Sequence, residues 1–242
     1  MDLKGKSLHI VLPVGILVLY AAGMVLALAP GKVLSRVVFS ELGIVELGTA
    51  VFFILAAIIA FVLCYKAKTS SAGKWRLAYL IFGLGALFVA LEEVNYGQYF
   101  IGFGTPTQIF ELNTKGEFNL HNMFGNIIAR RLNLVATIAF PTFLIVLPVF
   151  AALGKEAYST NNWPYYILPG RRLILYAAIG QFMTWFDDLF GLFGIANAWT
   201  RATEMKEFYW AMASLLWITI IYRRILQPKR ADIPYYRQEK SP

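Results

Sequence analysis

The chain has 242 residues, of which 58% are hydrophobic and 15% charged, whereas a soluble domain carries about 25% charged residues. Its net charge is +8, but the basic residues flank apolar runs as they do in membrane proteins, so nucleic acid is not expected as a partner. Cys64 is the single cysteine, which leaves no intrachain disulfide or thiolate cluster to build.

Six apolar runs approach the length needed to cross a bilayer: 8–29, 43–65, 77–97, 132–153, 172–194 and 207–223. They predict an all-α, polytopic helical bundle over 1–226 and a basic cytoplasmic tail over 227–242. The first run is longer than a signal-peptide core and lacks an A-x-A-like cleavage site, so it reads as a retained helix. The second ends beside Cys64. The third closes on Glu92 and Glu93. The fourth contains Pro141 and Pro148, and transmembrane helices tolerate kinks at such positions.

With the N-terminus in the cytoplasm, the inner segments hold Lys4, Lys6, Lys66, Lys68, Lys74, Arg76, Lys155, Arg171, Arg172 and the basic residues from Arg223 onward. Few Lys or Arg remain outside, so both termini read as cytoplasmic, in a bacterial plasma membrane. The tail is expected to rest on anionic lipid, and membrane lipids are the partners this predicts. Protein partners cannot be read from the chain.

The acids sort the opposite way. Glu46, Glu92, Glu93, Asp187, Asp188 and Glu207 all fall near the outer ends of spans. Carboxylates within a spanning helix are costly and usually turn toward the bundle interior, so these predict one polar pocket drawn from four helices. The alternative is that helix ends simply lie at headgroup level. Glu46 and Glu207, near helix N-termini, also suit the macrodipole. Glu93 and Asp188 sit at C-terminal ends, where the dipole disfavours them and a metal, an Arg or a proton should compensate. In the fifth run Gln181, Trp185 and Asp188 share one helical stripe. Only one of Glu92 and Glu93 is expected to face the pocket.

Residues 98–131 are too polar to span. "GFGTP" reads as a turn. "TPTQIFELN" reads as a short amphipathic helix with Ile109, Phe110 and Leu112 toward the membrane, and "TKG" breaks it. "NLHNMFGNIIARR" reads as a further helix with Asn119 as N-cap, His121 in its first turn and Asn122, Asn126 and Arg130 on one stripe. His121 is either a hydrogen-bonded structural residue or a ligand, and His9 is incidental. Arg130 and Arg131 either anchor the next helix or clamp a phosphate or carboxylate headgroup.

"EEVNYGQYFIGFGTP" followed by "ELNTKGEFNLHN" resembles a group of bacterial polytopic membrane proteins of unknown function. The matched positions are Glu92, Glu93, Tyr96, Gly97, Gln98, Pro106, Asn113, Glu117, Asn119, His121 and Asn122. The resemblance implies no activity.

H-E-x-x-H, P-loop and G-x-S-x-G motifs are absent. Carboxylate and amide oxygens suit one hard divalent cation, Mg²⁺, Ca²⁺ or Mn²⁺, and a histidine among them also admits Zn²⁺ or iron. The expected reading is a metal-assisted hydrolase or transferase on a lipid or lipid-linked substrate. Glu93, His121 and Asp188 would hold the metal. Glu92, Glu93, His121, Asp187 and Asp188 would form the catalytic set, and Gln98, Asn122, Arg130, Arg131 and Trp185 would contact substrate. The alternatives are a proton- or cation-coupled transporter and a non-catalytic subunit of a membrane complex.

Overall fold

The computed structural model describes residues 43–69, 71–113, 115–120, 122–123, 127–154, 162–169, 173–175, 177–179, 181–182 and 200–226, with the single positions Val18, Ala22 and Ser159. These are mostly helical, and no strand occurs among them. The long helices are α1 (Ile44–Lys66) and α2 (Arg76–Glu93). Two short helices follow, α3 (Gln98–Ile101) and α4 (Thr107–Leu112). Then come α5 (Ile127–Pro141), a π-helical turn over Thr142–Val146, α6 (Leu147–Leu153), α7 (Trp163–Ile167) and α8 (Thr200–Leu226).

Three stretches are long and apolar enough to cross a membrane: Ile44–Lys66, Ala72–Glu93 and Leu134–Leu153. They match the second, third and fourth expected spans, the third ending earlier than its hydrophobicity suggested. The expected spans at 8–29 and 172–194 lie largely outside the described residues, as does the tail. The sixth lies within α8, which is long enough but carries Arg201, Glu204, Lys206, Glu207, Arg223 and Arg224 near its ends.

The core is a three-helix unit of α1, α2 and α8. Small residues make the close contacts, as expected where lipid supplies no hydrophobic drive between helices and packing must hold them. Ala56, Ala57 and Ala60 of α1, Ala86 and Ala90 of α2 and Ala211 of α8 are buried together. A β-carbon on Gly83 of α2 would come within 2.6 Å of the Phe61 ring, and one on Gly48 within 2.6 Å of Phe208. Those contacts fix the helix directions. Gly48 and Phe52 meet Phe208, so α1 and α8 run parallel. Arg76 Nε donates to the Cys64 carbonyl at 2.9 Å, and Phe82 packs on Trp217, so α2 runs against both.

The outward faces carry Val51, Ile54, Leu55 and Ile58 on α1, and Leu80, Ile81, Leu84, Phe88 and Leu91 on α2, all exposed. Such a continuous apolar surface does not stand in water.

One end of the unit collects Lys66, Lys68, Lys74, Arg76, Arg223 and Arg224. There α7 is tied down. Arg224 donates to the carbonyls of Tyr165 at 2.6 Å and Leu168 at 2.9 Å, satisfying acceptors at the C-terminal end of α7 that the helix itself does not. Trp217 Nε1 donates to the Ile167 carbonyl at 2.7 Å, and the Tyr79 hydroxyl to that of Tyr166 at 3.1 Å.

The prolines of the fourth span act as expected of helix breakers, but through a π turn. Pro148 has no N–H for the carbonyl of Leu144. One residue earlier, the Leu147 N–H bonds to the Thr142 carbonyl, five positions back. The Thr142 hydroxyl donates to the Ile138 carbonyl at 2.7 Å.

Candidate functional site: a carboxylate cluster under a polar cap

At the other end of the unit, α2 finishes at Glu93 and the chain reverses at once. Asn95, Tyr96 and Gly97 follow in the left-handed region, with φ of 48°, 52° and 82°. Asn and Gly tolerate this conformation, but Tyr does so at a cost, so the fold around it must hold the turn. The holding comes from a cap formed by residues 95–123. Its interior is polar: Asn95, Asn113, Glu117, Asn119 and Asn122 are all buried.

Asn119 is the hub of the cap. Its amide donates to Asn95 Oδ1 and, at 2.8 Å, to Glu117 Oε2. Its own Oδ1 accepts from Asn113 Nδ2 at 3.1 Å and from the Asn122 N–H at 3.3 Å. Asn113 Oδ1 accepts the Lys115 N–H at 2.9 Å, closing the end of α4. Glu117 further accepts Asn122 Nδ2 at 2.9 Å and the Tyr99 hydroxyl at 3.2 Å. Gln98 latches the ends together, donating to Thr105 Oγ1 and accepting the Phe118 N–H, both at 2.8 Å. Phe118 sits edge-on to both Tyr96 and Phe103. Buried polar groups are tolerable when bonded in this way.

Glu92 belongs to the cap. Its carboxylate is buried and accepts the Leu120 N–H at 2.9 Å. Partial burial and the bonded Glu92 carboxylate push the Tyr96 phenol well above its ordinary range. Glu93, one residue on, turns into the bundle. The charges acting on it are those of Glu207, Glu46, Glu204 and Glu92, in that order. Glu46 lies in the first turn of α1, and Glu204 and Glu207 follow beyond the first turn of α8. Three helices therefore bring four carboxylates of the bundle together at one level. The N-terminus of α1 lies at this level, and its partial positive charge offsets part of the repulsion at Glu46; Glu207, expected near a helix N-terminus, stands beyond the first turn of α8. Lys206 sits at the same end, its Nζ 4.9 Å from the Trp210 ring centre.

Among the expected site residues, the structure separates Glu92 and Glu93 between the cap and the bundle. Gln98 and Asn122 are engaged within the cap, and Arg131 is exposed. His121, Trp185, Asp187 and Asp188 lie outside the described residues, as does the side chain of Arg130. The helix expected from Asn119 is not present at the described residues 119, 120, 122 and 123. The Asn119 side chain is committed to Asn95, Asn113 and Glu117, Asn113 pairs with Met123 in an isolated bridge, and the described helix starts at Ile127. Glu46 and Glu207, both expected in the pocket, and Glu204, one turn before Glu207, stand with Glu93, although none of the three is in the expected catalytic set. The i, i+3 spacing of Glu204 and Glu207 was the available signal. No group of three His, Cys, Asp or Glu side chains among the described residues is placed to hold a metal ion. No protein-family model, curated protein or solved structure matches the chain.

Proposed function

We propose that this is a polytopic membrane protein of six spans whose working site is the pocket around Glu93, and that the pocket serves metal-assisted hydrolysis or transfer on a lipid or lipid-linked substrate. The gathering of Glu46, Glu93, Glu204 and Glu207 from three helices carries the reading. Like charges at one level of a bundle are stabilised by a cation or by protons. Since α8 runs along α1, it crosses the bilayer wherever α1 does. The basic end of the unit, Lys66 to Arg76 with Arg223 and Arg224, then faces the cytoplasm and the acidic end the outside.

In this reading Glu93 and Glu207 would contribute to holding one divalent cation. His121 and Asp188 would complete its ligand set, because the described carboxylates do not form one alone. A further carboxylate, Glu46 or Asp187, would take the proton of the attacking group. Arg130 and Arg131 would hold an anionic headgroup.

One observation favours a second reading. Carboxylates that influence one another without ion-chelating geometry are the setting in which two acids share a proton, as in a proton-coupled carrier.

Isothermal titration of the purified protein with Mn²⁺ and Zn²⁺, paired with elemental analysis, separates the two. The enzyme reading expects stoichiometric binding that Glu93→Gln abolishes. Binding that is absent, or equal in Glu93→Gln, overturns it. Proton release on titrating the metal-free protein, lost in Glu93→Gln, would then support the carrier.

A further inference from the structure

We infer that the cap at residues 95–123 is seated in the membrane interface, with lipid as the occupant of its outer surface. A loop folded for water turns apolar side chains inward and polar ones outward. This one is inverted. Asn95, Asn113, Glu117, Asn119 and Asn122 are inside, while Phe100 is 63% exposed, Ile101 76% and Phe110 59%, with Tyr99, Leu112 and Leu120 also outward. An apolar exterior around a bonded polar interior matches a hydrocarbon or headgroup surrounding, where every polar group must be satisfied internally.

Depth points the same way. Ala72–Glu93 is 22 residues, about 33 Å at the helical rise, close to the thickness of the hydrocarbon core. Its last residues therefore reach the boundary. The left-handed turn at Asn95–Gly97 then folds the chain back instead of carrying it outward, so α3 begins at that same depth. Leu84, Phe88 and Leu91 form an exposed apolar stripe on α2 before this turn, and Tyr99, Phe100 and Ile101 are exposed after it. The outward polar residues Gln108, Glu111 and Lys115 suit the headgroup side of an interfacial segment. The inference rests on the membrane reading of α1 and α2 but is independent of any chemistry at Glu93.

The test is a nitroxide label on Ile101→Cys in a Cys64→Ala background, reconstituted into phosphatidylethanolamine–phosphatidylglycerol vesicles. Its collisions with oxygen, concentrated in the bilayer, are compared with those with a water-soluble nickel chelate. Matching labels at Ile58, on the apolar face of α1, and Lys115, on the cap's polar side, serve as references. The expected result is an oxygen-to-nickel ratio at Ile101 severalfold above that at Lys115 and approaching that at Ile58. A ratio at Ile101 equal to that at Lys115, with Ile58 still lipid-like, overturns the cap's placement and leaves the membrane reading intact. Shielding of Ile101 from both reagents also overturns it, because protein rather than lipid then covers the surface. A water-like ratio at Ile58 removes the membrane reading itself. Phe100→Cys repeats the measurement if Ile101→Cys does not fold.

Discussion

Adjacent carboxylates at the end of α2 enter different surroundings because a helix turns about 100° per residue. Glu92 meets the cap and Glu93 the bundle. Helical periodicity limited the pocket to one of the two but could not choose, since the choice depends on where residues 118–120 return. Their return depends on Asn119, whose side chain bonds to both Asn95 and Glu117. Removing the amide takes a bond from Asn95 Oδ1 and from the Asn122 N–H, at about 1–3 kcal/mol each. Asn119→Ala is therefore expected to destabilise the protein by about 2–4 kcal/mol, read as a lowered thermal midpoint in detergent. Glu92→Gln keeps an acceptor for the Leu120 N–H and is expected to cost clearly less than Glu92→Ala in the same assay. Equal losses would mean that the Glu92 contact does not hold the cap.

The second, third and fourth spans were legible from apolar runs; the second and fourth end near Lys66 and Leu153 as the fold has them, and the third stops at Glu93, short of the expected 97. Their partners were not, because small residues mark contact without saying with what. Gly83 and Gly85 show the difference. A methyl group on Gly83 meets Phe61, whereas one on Gly85 meets nothing within 4 Å. Gly83→Ala is expected to destabilise by about 1–3 kcal/mol through overpacking, and Phe61→Leu in the same chain should recover part of the loss. Gly85→Ala is expected to be neutral or stabilising by up to about 1 kcal/mol. Equal effects at the two positions, measured by thermal unfolding, would contradict the α1–α2 contact. At 119, 120, 122 and 123 the pattern suits a helix start but the chain is not helical, because side-chain amides compete for the backbone groups there and the pattern does not show them.

Charge divides the three-helix unit along its length, with Lys66, Arg76 and Arg224 at one end and Glu46, Glu93 and Glu207 at the other. The acidic bias near the outer ends of the expected spans was visible in the sequence. So was a shared level, because the expected spans set the second and sixth parallel and the third against them; which acids face one another was not, because that depends on how the helices are rotated in contact. In a Cys64→Ala background, Lys115→Cys should react with a membrane-impermeant maleimide in intact cells, and Lys68→Cys only after the membrane is permeabilised. The shared carboxylate pocket is tested most directly by a double-mutant cycle of Glu93→Gln and Glu207→Gln, scored by thermal unfolding in chelator. Groups in one pocket should show a coupling of about 0.5–3 kcal/mol between the two changes. Additive effects would mean that Glu93 and Glu207 do not share a space.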